Sequence, residues 1–489
     1  MQLTSVYFIV FMAFAILGFQ CCSSRYRYLF ILLCNILFYT GWINDIKSAF
    51  SLAAVIIVTW AGALLYHKTR YRFILHVCLA ASFLFLVWFK YADFMTAALD
   101  KILRYSGHSG PIPLSPMAPI GISFFTFQAA GYLIDVYRGK TMPEKNLFRY
   151  AAFVSFFPTI TSGPIERSDH LLKQLREVRP RPSFDDVRRG FILFVYGAFV
   201  KLVISERLAL LVSSVMDYYH FYSGIVCFIA AVCYSVQIYC DFSSYSLMAA
   251  GAAKCFGFDI VENFTVPYFS ETLQEFWRRW HISLSTWFRD YVYIPLGGNR
   301  CSGLRKNINL LITFLVSGLW HGANWTFVFW GFLHGFYQVV GNLTRKGRNK
   351  ALQLLRVNTE CFSYHLFRKL IVFLLVTFAW IFFRFDTITE AFSYIWRIFG
   401  HVRLWEIFDG TVYEMGLDYM ELAVLFFSLS VLILADVLKY KTRKNIDCLL
   451  LEQNILFHCL VVALLITVTM VYGLYGPGFD AREFIYIRF

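Results

Sequence analysis

Residues 308–340 read INLLITFLVSGLWHGANWTFVFWGFLHGFYQVV, and the length of this run decides the fold. One crossing of a bilayer takes about 20 apolar residues, so the run is longer than a single crossing needs. Basic stretches flank it on both sides, Arg300–Lys306 before and Arg345–Arg356 after. Positive loops stay on the cytoplasmic side, so both ends belong there and the chain must enter the membrane and return. The small residues Ser317, Gly318 and Gly322 place the expected bend near Ser317–Gly322. Non-helical backbone at that depth is tolerated only where protein or water lines it, so the bend points to a cavity.

Comparable runs recur outward in both directions. Leu3–Phe19, Tyr28–Trp42, Ala49–Tyr66, Phe73–Phe89, Pro119–Val136, Phe191–Met216, Ser223–Cys240, Phe367–Phe383, Leu417–Leu438 and Ile455–Leu474 are apolar enough to span. Tyr150–Thr161 is too short and reads as a re-entrant piece. The sum is about ten to twelve crossings. Composition agrees: of 489 residues, 58% are hydrophobic and only 16% charged, too few charges for a water-covered surface. The 19% aromatic content suits lipid-facing helices with interfacial anchors. An all-α polytopic membrane protein is the expected class, and disordered, collagenous and secreted disulfide classes are excluded.

The excess of basic over acidic side chains gives a formal charge of +14. Because those residues cluster in short loops, they set topology and attract anionic lipid, and no nucleic-acid partner is implied. Arg25 and Arg27, His67 to Arg72, and Arg138 to Lys145 mark the first, third and fifth loops as cytoplasmic. That puts the N-terminus outside, with Met1–Phe19 a retained first span because no basic segment precedes it. The twelve cysteines are scattered without a C-x-x-C pair and read as small buried hydrophobes. The charged, aromatic stretch Glu262–Asn299 is too polar to span and reads as interfacial helices.

Ionisable residues at membrane depth are functional hypotheses by default. His321 leads them, at the expected bend, where a neutral imidazole suits general-base work near pH 7; holding the bend through a carbonyl is the alternative role. His281 shares a helical face with Trp277, Leu284 and Phe288 by spacing, and serves either a site or packing. Asp241 either orients a histidine or caps a helix together with Ser243. His334 reads as a packing residue, and a zinc site from His281, His321 and His334 stays open. Arg278, Arg279 and Arg289 either hold a phosphate-bearing donor or set topology. No H-E-x-x-H, G-x-S-x-G, Walker A or dinucleotide motif is present.

The run from Glu275 through Trp277-Arg278-Arg279-Trp280-His281 to Gly298, and the run Ser317 to Trp325 around His321 and Asn324, closely resemble the membrane-bound O-acyltransferase (MBOAT) family. Within it the AlgI-like branch, which serves O-acetylation of alginate and other exopolysaccharides, is the nearer likeness. Pro119 to Phe124, Phe157-Pro158, Ser162 to Ile165 and Tyr239 to Ser243 support it in family order. Ser244 stands where the family often has glycine.

The resemblance implies a ring of tilted spans with re-entrant segments around a central funnel. It places the family's invariant histidine on His321 and its second functional position on His281, with Asp241, Ser243 and Asn324 as supporting polar groups. It implies acetyl-CoA as the acyl donor, no bound cofactor or metal, an extracytoplasmic SGNH-type acetyltransferase as partner and a secreted polysaccharide as final acceptor. The location implied is the bacterial inner membrane. The chain then divides into a membrane domain, 1–475, and a C-terminal aromatic tail, 476–489, whose Tyr486 resembles a proposed acyl carrier; a hydrophobic plug is the other reading of that tail. A transporter and a non-catalytic scaffold are the competing functions. The transporter predicts internal repeats, and none is visible.

Overall fold

The computed structural model describes residues 2–41, 46–106, 118–177 and 181–475. Among these residues every regular element is helical, as the apolar runs predict. Among the described residues six helices are long and apolar enough to cross a membrane: Ala49–Thr69, Arg72–Tyr105, Gly224–Cys255, Phe362–Arg384, Tyr419–Thr442 and Ile455–Tyr472. The chain is a multi-pass membrane protein. Tyr486 and the rest of the expected tail lie outside the described residues.

The chain packs into two compact units. The first contains α1 (Val6–Cys21), α2 (Arg27–Thr40), α3 (Ile46–Thr69), α4 (Arg72–Tyr105), α5 (Ile122–Tyr137), α6 (Leu147–Val154) and α7 (Lys173–Arg176). The helices α8 (Phe184–Phe199) and α10 (Gly224–Cys255) contribute to both units, and α9 (Glu206–Met216) belongs to the second. The second unit continues with α11 (Leu273–Arg279), α12 (Ile282–Phe288), α13 (Gly303–His321), α14 (Trp325–Leu354) and α15 (Phe362–Arg384). It closes with α16 (Ile388–Gly400), α17 (Tyr419–Thr442), α18 (Ile446–Leu451) and α19 (Ile455–Tyr472).

In the first unit the short run Tyr150–Thr161 is half helix and half buried turn. Backbone leaving a helix in an apolar interior needs new partners, and Asn35 of α2 supplies them. Its Nδ2 donates to Ala152 O and Ser155 Oγ, each at 3.1 Å, and its Oδ1 accepts from Phe157 N at 2.9 Å. A tight crossing follows at Gly121, whose φ of 75° is left-handed. A Cβ there would sit 2.1 Å from Ile160 O, so only glycine fits the Pro119–Phe124 stretch.

In the second unit the run 308–340 does return on itself, as α13 and α14. The bend is narrower and later than expected. The helix continues through Ser317 and Gly318 to His321, and only Gly322–Asn324 is non-helical. The glycines therefore serve packing rather than opening. A Cβ on Gly318 would lie 2.3 Å from Phe327 O, and one on Gly331 2.3 Å from Phe314 O. The two backbones approach through these notches, as small residues allow in membrane helix pairs. Gly331→Ala forces them apart and is expected to cost about 1–3 kcal/mol, the usual penalty of overpacking, read as a lower unfolding temperature in detergent. An unchanged temperature would show that the hairpin tolerates wider spacing.

The run Phe191–Met216 also differs from a plain span. A π-helical turn, Val200–Ser205, interrupts it between α8 and α9. The carbonyl of Leu202 accepts from Leu474 N at 3.0 Å, which ties the end of α19 to the turn.

Candidate active site

The stretch expected to form one amphipathic helix through Trp277, His281, Leu284 and Phe288 is broken at the histidine. His281 has φ 42° and ψ 56°, a left-handed conformation that costs a residue with a Cβ roughly 1–2 kcal/mol. Such strain persists only where the surroundings enforce it, and it clusters at functional sites. Here Asn263 enforces it. Its carbonyl accepts from Ile282 N at 3.0 Å, its Oδ1 accepts from Ser283 N at 3.2 Å, and Thr265 N donates to Arg279 O at 3.0 Å. The Asn263 Oδ1 also lies 3.4 Å from His281 Nδ1, long for a hydrogen bond. His281 is only 1% exposed, although it sits between two short helices in a polar stretch. That stretch is not free at an interface, since Phe276, Trp277, Trp280, Leu284, Trp287 and Phe288 are buried as well.

His321 ends α13 and is also 1% exposed. Trp320, Trp330 and Phe383 surround its ring at centroid distances of 5.0, 4.9 and 5.2 Å. Trp320 joins the two histidines, because the His281 ring also stands 6.1 Å from it. Phe242 of α10 meets His281 edge-on at 4.5 Å. The fold thus brings His281 and His321 onto one indole, although forty positions separate them in sequence.

Asn324 takes a structural place beside them. Its side chain caps α14 by accepting from Thr326 N at 3.1 Å, and its Nδ2 donates to Asp386 O at 2.6 Å. It therefore fixes the hairpin turn and the α15–α16 connection together. Gly322 follows His321 in extended backbone, and a Cβ there would strike the Phe327 ring at 2.3 Å.

Asp241 neither ends a span nor caps a helix. It lies inside α10, where its Oδ1 meets Lys201 Nζ at 2.5 Å and Ser205 Oγ at 3.4 Å. Lys201 Nζ also reaches Glu206 Oε1 at 2.8 Å, with every side chain of this group at most 6% exposed. In a regular helix positions 201 and 206 would point about 140° apart at 100° per residue. The π turn adds a residue to the loop and closes that angle, a device common at functional sites. Ser243 is buried on the same helix, and Ser244 returns its hydroxyl to the Asp241 carbonyl at 2.7 Å, which explains how serine is accommodated there.

Lys201 and Glu206 sit within an otherwise good span, which hides them in the sequence. Ionisable residues in an apolar run were the available signal. His334, a packing residue by its sequence position, is placed beside the site by the hairpin. It is fully buried, accepts from Trp277 Nε1 at 3.3 Å, and shares Trp330 with His321 through a ring contact of 4.8 Å. The Trp330 indole N–H has no acceptor among the described residues, so a donor stands next to His321. His281, His321 and His334 do not make a metal site: no three His, Cys, Asp or Glu side chains converge among the described residues.

The three arginines separate. Arg278 is exposed, and Arg289 pairs with Asp290 at 2.8 Å while still largely exposed. Arg279 turns inward, pairing with Glu275 at 2.5 Å.

Comparison with known proteins gives this geometry a family. The sequence model of the membrane-bound O-acyltransferase family (MBOAT) matches residues 139–385, which include both histidines. The chain is 36% identical over 382 residues to the probable alginate O-acetylase AlgI of Azotobacter vinelandii, covering 77% of this chain and 72% of that protein. It is 31% identical over 423 residues to the peptidoglycan O-acetyltransferase of Helicobacter pylori, covering 80% and 77%. A teichoic acid D-alanyltransferase of Bacillus subtilis is 27% identical over 275 residues, covering 53% and 68%. The chain, with two buried imidazoles on one indole inside the matched segment, belongs to the membrane-bound O-acyltransferase family and is a polytopic membrane O-acyltransferase.

Proposed function

We propose that this protein takes an acetyl group from cytoplasmic acetyl-CoA and moves it across the bacterial inner membrane for O-acetylation of a secreted polysaccharide. The observation that carries the reading is the pairing of His281 and His321 on Trp320 within a chain similar to O-acetylases. Two of the relatives are named for alginate and for peptidoglycan, which favours a glycan over a lipid as the final acceptor.

The physical problem is that coenzyme A carries several negative charges and cannot enter hydrocarbon. A funnel solves it, since only the small acyl group has to pass. His321 takes the proton of the accepting hydroxyl as its oxygen attacks the thioester carbonyl. The tetrahedral centre then collapses with release of the thiol, which regains a proton. His281 positions or polarises the thioester, and the Trp330 N–H is available to the carbonyl oxygen as charge develops on it. Apposition of the two substrates and general-base help act together, the base alone giving about 10²–10⁴-fold. Because both rings are buried, the acyl group is admitted by displacement of the aromatic side chains that close on them.

The acceptor in this scheme is Tyr486, a hydroxyl of an extracytoplasmic SGNH-type acetyltransferase, or the glycan. The N-terminus faces outward, and the tail 476–489 acts apart from the membrane domain. The test uses proteoliposomes loaded with labelled acetyl-CoA on the cytoplasmic side. Label is expected on the outer acceptor with wild type and none with empty vesicles. Absence of label with an intact partner system would defeat the donor assignment. Tyr486→Phe is expected to abolish glycan acetylation if the tyrosine carries the acyl group. Retained glycan acetylation would remove that relay and leave the histidines in place.

A further inference from the structure

In the second unit three cations from three helices converge on one tyrosine ring. Arg279 at the end of α11, Lys369 on α15 and Arg443 just past α17 lie 5.3, 4.9 and 5.7 Å from the Tyr440 centroid. Lys369 also lies 5.7 Å over Phe269, whose ring is 5.3 Å from that of Tyr440. Carboxylates do not balance this group. Glu275 pairs with Arg279, and the next acid, Glu271, is already shared by His365 at 2.9 Å and Arg368 at 3.2 Å. Among the described residues neither Lys369 nor Arg443 has a carboxylate partner.

Magnitudes show why this arrangement calls for an anion. A cation over an exposed ring gains about 0.5–1 kcal/mol, while like charges gathered this closely repel one another. The C-terminus of α17 offers roughly half a negative charge, felt only within the last turn, against two cations without a carboxylate. A phosphate group matches the deficit, with the guanidinium forks of Arg279 and Arg443 suited to its oxygens. Placement agrees. The site lies in the first half of α15 and at the end of α17, where Tyr440 and Arg443 belong to the basic stretch 439–444 that the charge rule assigns to the cytoplasm.

We propose that Arg279, Lys369 and Arg443, gathered around Tyr440, bind a phosphate group. Two sources carry that chemistry at this depth: the phosphates of coenzyme A and the headgroup of an anionic phospholipid. The first rests on the acetyl-CoA reading above, and the second does not.

The test titrates coenzyme A into the full-length protein in phosphatidylcholine nanodiscs. A parallel arm uses discs containing phosphatidylglycerol and reads retained lipid by native mass spectrometry. The Lys369→Gln/Arg443→Gln double variant is expected to bind coenzyme A roughly tenfold or more weakly, as loss of charge-assisted contacts implies, or to retain less phosphatidylglycerol. Lys369→Arg, which keeps the charge, is expected to behave as wild type. Neither position is buried, so the fold survives the changes. Weakening in the first arm assigns the nucleotide, and loss in the second alone assigns the lipid. A double variant equal to wild type in both arms overturns the site, whether or not the protein transfers acetyl groups. Wild type that ignores coenzyme A removes the nucleotide source, and the lipid arm then decides the site.

Discussion

His321→Ala protein in proteoliposomes is expected to transfer labelled acetyl at least about 10²–10⁴-fold more slowly than wild type, the range that general-base catalysis supplies. The ring packs against Trp320, Trp330 and Phe383, so its removal takes away the proposed base and leaves a gap among those side chains. The loss should fall on kcat more than on KM, because proton removal matters only in the transition state. Unfolding temperature measured alongside separates chemistry from packing, and restoring the volume with His321→Gln should recover stability without recovering transfer. Undiminished transfer by the alanine variant would remove His321 as the base and send the search to His281 or His334.

Lys201→Met should destabilise the protein by about 3–5 kcal/mol, the cost of leaving buried charges without their partner. Asp241 and Glu206 both close on this one ammonium, at 2.5 and 2.8 Å, and all three are nearly inaccessible. Two carboxylates left together in an apolar interior repel each other and lack solvent. Neutralising all three, with Lys201→Met, Asp241→Asn and Glu206→Gln, should recover most of the loss, since a buried ion group replaced whole is often neutral in energy. The measurement is thermal unfolding in detergent for the single and triple variants. Equal stability of Lys201→Met and wild type would mean that water reaches the group. Activity should follow as well, because Asp241 adjoins Phe242, the ring that stands 4.5 Å from His281.

Much of this protein was legible from residue order. Apolar runs report helices because a helix satisfies its own backbone in lipid, so α3, α4, α10, α15, α17 and α19 fall where the runs place them. The return of 308–340 followed from basic residues at both ends, and His321 stood out as an ionisable group in apolar surroundings. The motifs around His281 and His321 carried the family.

Packing decided the remainder. Periodicity describes the faces of one helix, and it assigned His281 to a helix that Asn263, eighteen positions earlier, breaks. Spacing offered Asp241 a histidine or a cap, and a π turn forty positions away gave it Lys201 instead. Arg279 looked like one of three equivalent cations until Lys369 and Arg443 arrived from other helices. Residue order alone thus fixed which segments are helices and which of their residues are chemically costly to bury. Which of those residues meet was left to tertiary structure, because side-chain partners across helices depend on close approach at Gly318 and Gly331 and on local breaks in the helix, neither of which a repeating pattern encodes.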